Sequence, residues 1–470
     1  MADLAREIAR GDSSALPQEA LVEWVVQQRW FSSKQRDVRE FNVLDLFVLS
    51  EAEPVVAIVI AEARFGAGTH DIYQVPLAVR PQASGWDQGV IDRSGGDVLY
   101  DALADEAADA LLVEHFTAGT ALERPRGCVS FHRHGRAAAP GELLHARSMG
   151  AEQSNSSIVF DDRLVLKVFR RIQPGINPEL EMLRFLADHE FPNIAALVGW
   201  YGYSGELMDA TLGVMQRYVA GARDGWELAL DALAAGDSGF LERLGALGEV
   251  TGRMHAVLAS DSSDPDFAPE EPTLDTLSLL TATLDEQIER LWDELPHEDE
   301  ALAPIADRGE EVRDHLQLLS HVGVGGRMIR VHGDYHLGQT VQAGSEWIVL
   351  DFEGEPARPL VERRRKRSPL RDVAGMLRSF SYAAAAASLL RGAQAPEGWE
   401  EAARERFLEG YMREVDAVVL PAGQASVTKL IAIFELERAI YELRYELDNR
   451  PDWVGIPVAC IERLLDTMPA

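Results

Sequence analysis

Cysteine is almost missing from this chain: Cys128 and Cys460 are the only two among 470 residues. That excludes a disulfide-built scaffold and leaves two thiols, far apart in sequence, that read as buried side chains and not as a metal pair. Long apolar runs are missing too. The run at 55–61 is strand-sized, far short of the roughly 20 residues of a membrane-spanning helix, so no membrane partner is expected. Positive charge is scarce: 45 Lys and Arg stand against 77 Asp and Glu, a formal net charge of −32. This argues against nucleic acid as a general partner, because a phosphate backbone needs a basic stripe. The first residues carry acids where a signal peptide has its apolar core, so the cytoplasm is the expected location.

What is present is a chain of 46% apolar and 26% charged residues, a globular composition. It is too long for one ordinary core, so two or three domains are expected. The acid excess solvates the surface and would repel a polyphosphate. A nucleotide site here must therefore carry its own Lys, Arg and Mg²⁺. One basic run breaks the pattern: Arg363-Arg364-Arg365-Lys366-Arg367. Lying twelve residues after Asp351, it reads either as a solvated charge run or as a loop beside an active-site mouth.

The chemistry concentrates in Val331-His332-Gly333-Asp334-Tyr335-His336-Leu337-Gly338-Gln339 and Asp351-Phe352-Glu353. Apolar runs at 328–331 and 347–350 read as strands that deliver them. Protein kinases place a catalytic Asp in H-R-D-x-x-x-x-N and a metal-binding Asp in D-F-G a short hairpin later. Here the pattern is H-G-D-x-x-x-x-Q and D-F-E. Phosphoryl transfer needs a carboxylate to orient the attacking hydroxyl and oxygen ligands for Mg²⁺ beside it. Asp334 fits the first place; Gln339 and Asp351 fit the metal. His332 reads as a packing and hydrogen-bonding residue of the loop. Asp372 reads as an anchor for that loop or as an ordinary acid at a helix start.

Upstream, a polar loop, Ser154-Asn155-Ser156-Ser157, precedes strands at 158–160 and 164–170. Its hydroxyls, amide and backbone N–H groups could serve ATP phosphates. Lys167 stands inside an apolar strand, where an unpaired ammonium is costly; it reads as a phosphate ligand or as an edge lysine facing water. Asn177 and Pro178 open the next helix, whose first turn offers Glu179 and Glu181 as partners for Lys167. Segment 212–219, with Gln216 and Tyr218, reads as a strand entering a connector, the stretch that contacts adenine in kinase-like folds. Ahead of all this, a helix at 17–31 and strands at 41–49, 55–65 and 73–79 form a small α+β unit, followed by a helix at 100–118. Beyond 224 the chain is mainly helical: 240–258, 273–295, 301–319, 368–390, 399–419 and 426–449. On the last helix Tyr441, Arg444 and Tyr445 cluster at three- and four-residue spacing, a sugar platform or a core face.

The segments 331–339, 351–356 and 368–376, with Gln28-Arg29-Trp30-Phe31, the N-P-x-L-E at 177–181 and the stretch 437–453, resemble the maltokinases. The resemblance covers nearly the whole chain. It implies an α+β, bilobal protein-kinase-like (aminoglycoside phosphotransferase-like) fold with an N-terminal cap. The expected domains are a cap at 1–90, a nucleotide-binding lobe at 91–218 and a mainly helical lobe at 219–470. It implies transfer from ATP to the anomeric hydroxyl of maltose, giving maltose 1-phosphate within glycogen and trehalose metabolism. Glu181 becomes the chosen partner of Lys167, with Glu179 as the alternative. His336, Glu353, Arg371, Tyr441 and Arg444 become candidates for the sugar, and trehalose synthase a possible protein partner. Two rivals stay open: the same fold acting on another acceptor, such as glucosamine or an aminoglycoside, and a nucleotide-sensing pseudokinase. The joint presence of Lys167, Asp334, Gln339 and Asp351 argues against the pseudokinase.

Overall fold

The computed structural model describes residues 3–66, 68–135, 145–149, 155–206, 208–296, 299–320, 326–356 and 358–467. The chain divides into two compact units, Met1–Ala187 with Ala195–Ala220, and Asp188–Ile194 with Gly221–Ala470.

The first unit is built on two sheets. Apolar side chains fill β1 (Val38–Ser50), β2 (Val55–Phe65) and β3 (His70–Pro81) so densely that β2 is almost wholly buried. These pair antiparallel in the order β1-β2-β3, continued by β5 (Asp97–Asp101) and β4 (Val90–Ser94). Helices Asp3–Ala9 and Gln18–Gln27 belong to the same core, in which Tyr73 meets the rings of Trp30 at 5.8 Å and Phe31 at 5.3 Å. The helix expected from residue 100 begins later, at Glu106. Tyr100 instead pairs with Ala78 inside the sheet. Asp105 caps the helix by accepting from Ala107 N at 3.0 Å, and its other oxygen accepts from the Tyr100 hydroxyl at 2.6 Å and from Arg80. The apolar run 98–100 is a strand abutting a helix, which composition alone merges.

The second sheet holds β6 (Ala121–Arg124), β7 (Gly127–Arg133), β8 (Ala146–Ser148), β9 (Asn155–Phe160), β10 (Leu164–Phe169), β12 (Leu197–Gly205) and β13 (Asp209–Arg217), ordered β6-β7-β12-β13-β10-β9-β8. A two-residue strand, β11 (Arg171–Ile172), leaves this sheet and pairs with β3. Gln74 completes the join: its amide donates to Phe169 O at 3.0 Å and Leu212 O at 2.8 Å, and accepts from the Tyr201 hydroxyl at 2.8 Å. A buried amide with both ends satisfied is stabilising where a lone one would be costly.

The second unit is mainly helical. Gly239–Leu258 lies against Trp399–Glu414 at backbone distance, because a Cβ on Gly248 would stand 2.0 Å from Phe407 O and one on Gly410 2.0 Å from Gly245 O. Leu370–Arg391 is long and apolar enough by composition to cross a membrane, yet 61% of its apolar window is buried inside the fold. It is a core helix, and it supports the loop that carries Asp334: a Cβ on Gly375 would meet Tyr335 O at 2.6 Å. The expected strand at 328–331 is instead a buried extended segment making single bridges, Met328 to Glu270 and Ile329 to Arg367. The regular pairing comes after it, in the hairpin of β15 (Thr340–Ala343) and β16 (Glu346–Val349), flanked by β14 (Arg223–Asp224). The helix expected at 301–319 begins at Gly309, where a side chain would strike Trp292 at 2.6 Å.

Candidate active site

The loop from Arg330 to Gln339 is held by a carboxylate from the long core helix. Asp372 is fully buried; Oδ2 accepts from His332 N at 2.8 Å and Oδ1 from Gly333 N at 2.9 Å. Behind it His255 Nε2 lies 3.1 Å away, and the other ring nitrogen of His255 meets the Tyr411 hydroxyl at 3.0 Å. Burial alone would raise the Asp372 pKa. The His255 hydrogen bond, the nearby His332 and the Gly333 N–H outweigh it and hold the carboxyl below its ordinary value. The ring of His332 then ties two segments of the site together: Nε2 donates to Leu350 O at 2.9 Å, while Nδ1 accepts from Asp334 N at 3.4 Å. Phe352 and Tyr335 pack on that ring at 5.0 and 5.2 Å.

This cradle makes a prediction. Asp372→Asn replaces two acceptors by one and turns an NH₂ toward backbone N–H donors. Breaking a buried charged contact of this kind costs about 3 kcal/mol, so thermal unfolding of the full chain should shift down by several degrees. The wild-type contribution has a defined pH sign. A depressed carboxyl pKa stabilises above the unfolded value of about 3.9 and the gain is lost as pH falls through the lower folded value. The difference in melting temperature between wild type and variant should therefore shrink only in strongly acid solution. An unchanged melting temperature at neutral pH would remove Asp372 as the anchor.

Asp334 presents Oδ1 to Arg438 Nη2 at 3.2 Å and Oδ2 to His336 Nε2 at 4.0 Å. Burial opposes the charge on Arg438, but Asp334, Glu442 and Glu355 outweigh it and keep the guanidinium pKa above its ordinary value. The His336 pKa is lowered by burial first, with Asp334 acting the other way and Arg438 and His332 adding to the lowering. His336 is thus neutral near pH 7, its Nδ1 accepting from Gly338 N at 3.1 Å.

Asp351 has φ +59°, a left-handed conformation that is uncommon outside glycine and least costly for Asp and Asn. Such strain is of order 1–3 kcal/mol and here aims a carboxylate. Leu350 N donates to Gln339 O at 2.9 Å, and this bond brings the two side chains together, Gln339 Nε2 lying 3.4 Å from Asp351 Oδ2. A half-turn of the amide exchanges its nitrogen for its oxygen, so the pair can offer two oxygens to one point. Among the described residues no group of three or more His, Cys, Asp or Glu could enclose a metal. One carboxylate and one amide oxygen suit Mg²⁺ nonetheless, because that ion keeps waters and takes phosphate oxygens as its remaining ligands.

In the first unit Lys167 is buried on β10, opposite Ser157 on one side and Val214 on the other. Asn177 accepts from Glu179 N at 2.8 Å and so starts the helix Pro178–Asp188 as a cap. Glu179, the alternative partner, sets Oε2 3.9 Å from Lys167 Nζ; Glu181, the expected one, is buried in the same turn. Ser156 Oγ accepts from the buried Arg170 at 2.8 Å, Asn155 begins β9, and Ser154 lies outside the described residues. Gln216 is buried on β13 with its amide donating to Ala195 O at 3.3 Å. The Tyr218 hydroxyl accepts from Arg147 at 3.4 Å.

Two cavities of the second unit share the wall formed by Gly375, Arg438 and Tyr441. One, of about 150 Å³, holds Asp334 and Arg371. The other, of about 460 Å³, is lined by His336 and by the rings of Trp226, Tyr382, Tyr445 and Trp453. Arg371 is paired with Glu437 at 2.8 Å and lies over Phe434. Glu353 and Arg444 line neither cavity: Glu353 is buried 3.7 Å from Arg363, and Arg444 is exposed. The arginine that hydrogen-bonds Asp334 is Arg438, which sequence reasoning passed over. A helix advances about 100° per residue, so 438, 441, 442 and 445 share a face that 444 leaves. Extending the Tyr441–Tyr445 spacing one turn backward would have found it. His255, Tyr411 and Trp226 carry no such signal, being distant in sequence.

Residues 24–105 match the family model of the maltokinase N-terminal cap domain, and residues 144–408 that of the phosphotransferase enzyme family. A glucosamine kinase of Streptacidiphilus jiangxiensis is 26% identical over 333 residues, 68% of this chain and 73% of its own. A glucosamine kinase of Mycolicibacterium smegmatis is 27% identical over 340 residues, 68% of this chain and 79% of its own. A solved glucosamine kinase in complex with glucosamine, ADP and inorganic phosphate superposes with a TM-score of 0.70, at 21% identity, over 95% of this chain and 99% of that one. These establish the fold as kinase-like, of the aminoglycoside-phosphotransferase type, with mixed helix and sheet and an N-terminal domain.

Proposed function

The chain belongs to the phosphotransferase enzyme family, and from that membership we propose that it transfers the γ-phosphoryl group of ATP to a sugar hydroxyl, specifically the anomeric hydroxyl of maltose. Asp334 orients that hydroxyl and takes its proton. Arg438 keeps the carboxylate aimed, and the His332 and Asp372 contacts fix the loop before substrate arrives. Lys167, steadied by an acid of the Pro178 helix, binds the nucleotide phosphates, with Asn155, Ser156, Gln216 and Tyr218 along the same lobe. Gln339 and Asp351 would hold Mg²⁺, which when bound supplies positive charge to the phosphate oxygens. ATP as donor is supported by the ADP named with the glucosamine kinase structure. A role in glycogen and trehalose metabolism and a trehalose synthase partner rest on the maltokinase resemblance.

One observation carries the choice of a neutral sugar. The carboxylates beside the aromatic cavity already have cations: Glu442 accepts from Arg378 at 2.7 Å, and Glu446 from Arg450 at 2.5 Å and the Tyr382 hydroxyl at 3.0 Å. An ammonium sugar would find no unengaged carboxylate among them, whereas a neutral ring needs flat aromatic faces and hydrogen-bonding groups. A volume near 460 Å³ falls within the range of ligand sites, about 300–1,000 Å³, and has room for a second ring. The second reading is glucosamine, favoured by the names of the relatives. A screen with Mg²⁺-ATP against maltose and glucosamine separates them. Phosphorus coupled to the anomeric proton of maltose in the product NMR spectrum supports the first reading. Phosphate on a 6-hydroxyl, or turnover of glucosamine alone, transfers the assignment to the second. Tyr441→Ala should raise KM for the sugar by about tenfold or more with KM for ATP nearly unchanged, since it removes binding area from the acceptor side only.

A further inference from the structure

The basic run at 363–367 has one member unlike the rest. Lys366 pairs with Glu270 at 2.8 Å and donates to Pro265 O; Arg364 pairs with Asp266 at 3.6 Å; Arg363 pairs with Glu353; Arg365 is exposed. Arg367 is fixed by its backbone, which exchanges hydrogen bonds with Ile329 at 2.7 and 2.9 Å, and it lines the cavity that holds Asp334. Among the described residues no side-chain oxygen lies within hydrogen-bonding or ion-pairing distance of its guanidinium. Its cationic neighbours make matters worse. Burial, then Arg371 and Arg358, push its pKa down to about 10, outweighing Glu437 and Glu362, which act the other way. A half-buried cation that no acid pairs with directly is unfavourable until an anion reaches it.

We propose that Arg367 anchors an anion subsite in this cavity that takes the phosphate group of a sugar phosphate, and so makes the product of the reaction proposed above an inhibitor competing with the acceptor sugar. The sugar half of this assignment rests on that reaction; the anion half rests on the cavity. Each acid lining the chamber already has a partner: Asp334 is engaged by Arg438, Glu355 by Arg358 at 2.5 Å, Glu362 by Arg358 at 4.0 Å, Glu437 by Arg371, and Asp372 by His255 and the backbone N–H groups of His332 and Gly333. The guanidinium fork of Arg367 matches two phosphate oxygens at once. A cavity of about 150 Å³ is about ten times the space one water requires, enough for a phosphate with its near solvent. Asp334 lies in the same chamber, so a phosphate made on a hydroxyl beside it need not leave the chamber to meet Arg367.

The test is calorimetry of the full chain, without ATP or Mg²⁺, against inorganic phosphate and against glucose 1-phosphate. Both should bind saturably, glucose 1-phosphate the tighter. Arg367→Gln should weaken both by about tenfold or more, Arg367→Lys by less, and Arg365→Gln not at all. Melting curves check that each variant is folded, and the lysine variant preserves the test should the glutamine variant unfold. No saturable binding, or equal binding by wild type and Arg367→Gln, overturns the subsite. Inorganic phosphate binding equal to or tighter than glucose 1-phosphate overturns the sugar-phosphate assignment. Sugar turnover with binding indifferent to Arg367 would remove the subsite and keep the reaction. Arg367-dependent binding with no turnover of any sugar would remove the reaction and keep the anion site.

Discussion

Asp334→Asn is expected to lower kcat by about 10²–10⁴-fold while leaving KM for ATP nearly unchanged. The substitution keeps the size of the side chain and removes the charge proposed to accept the hydroxyl proton. It does not orphan a buried cation, because Arg438 still has Glu442 at 3.5 Å, so melting temperature should move little. The loop geometry is independent of the Asp334 carboxylate: Asp372 holds His332 and Gly333, and His332 holds Leu350. Loss of activity in a folded protein that still binds nucleotide would therefore report on the chemistry and not on the scaffold. Steady-state kinetics beside calorimetric ATP binding is the measurement. Near-wild-type turnover would remove Asp334 as the base.

The parts of this site that are legible in sequence are the local ones. Asp334, Gln339 and Asp351 fall within eighteen residues, and a hairpin turns that spacing into adjacency through the bond from Leu350 N to Gln339 O. Lys167 is legible because a strand has only two faces. The Pro178 helix is announced by Asn177, but its first turn holds two glutamates about 200° apart, and spacing alone does not say which faces β10. Glu179 stands 3.9 Å from the lysine. What sequence does not carry is long-range selection. His255 reaches Asp372 across 117 residues and Tyr411 reaches His255 across 156. Each is an ordinary core residue until its partner is known. Arg444 shows the same limit on a smaller scale: it has the right chemistry, one helical position from the face that meets the cavity.

The same hairpin gives the second large expectation, at Asp351. Asp351→Asn should lower kcat by about 10²-fold or more and weaken Mg²⁺ and Mg·ATP binding together, because an amide oxygen still ligates but brings no charge. Asparagine is the informative choice. At φ +59° Asn is tolerated almost as well as Asp, whereas Ala adds a backbone penalty of roughly 1 kcal/mol that would confound a stability reading. Gln339→Ala should be milder, since a neutral donor contributes less than a carboxylate, and its activity should recover as Mg²⁺ is raised. Asp351→Asn should recover far less. Titration of Mg²⁺ by calorimetry, in the presence and absence of ATP, reads the ligand role without relying on turnover. If both variants keep the wild-type Mg²⁺ affinity, the oxygens of Gln339 and Asp351 are not the ones that hold the ion. The left-handed turn at Asp351 would then have to be explained by the backbone it directs, from Leu350 into Phe352 against His332, and not by the carboxylate it aims.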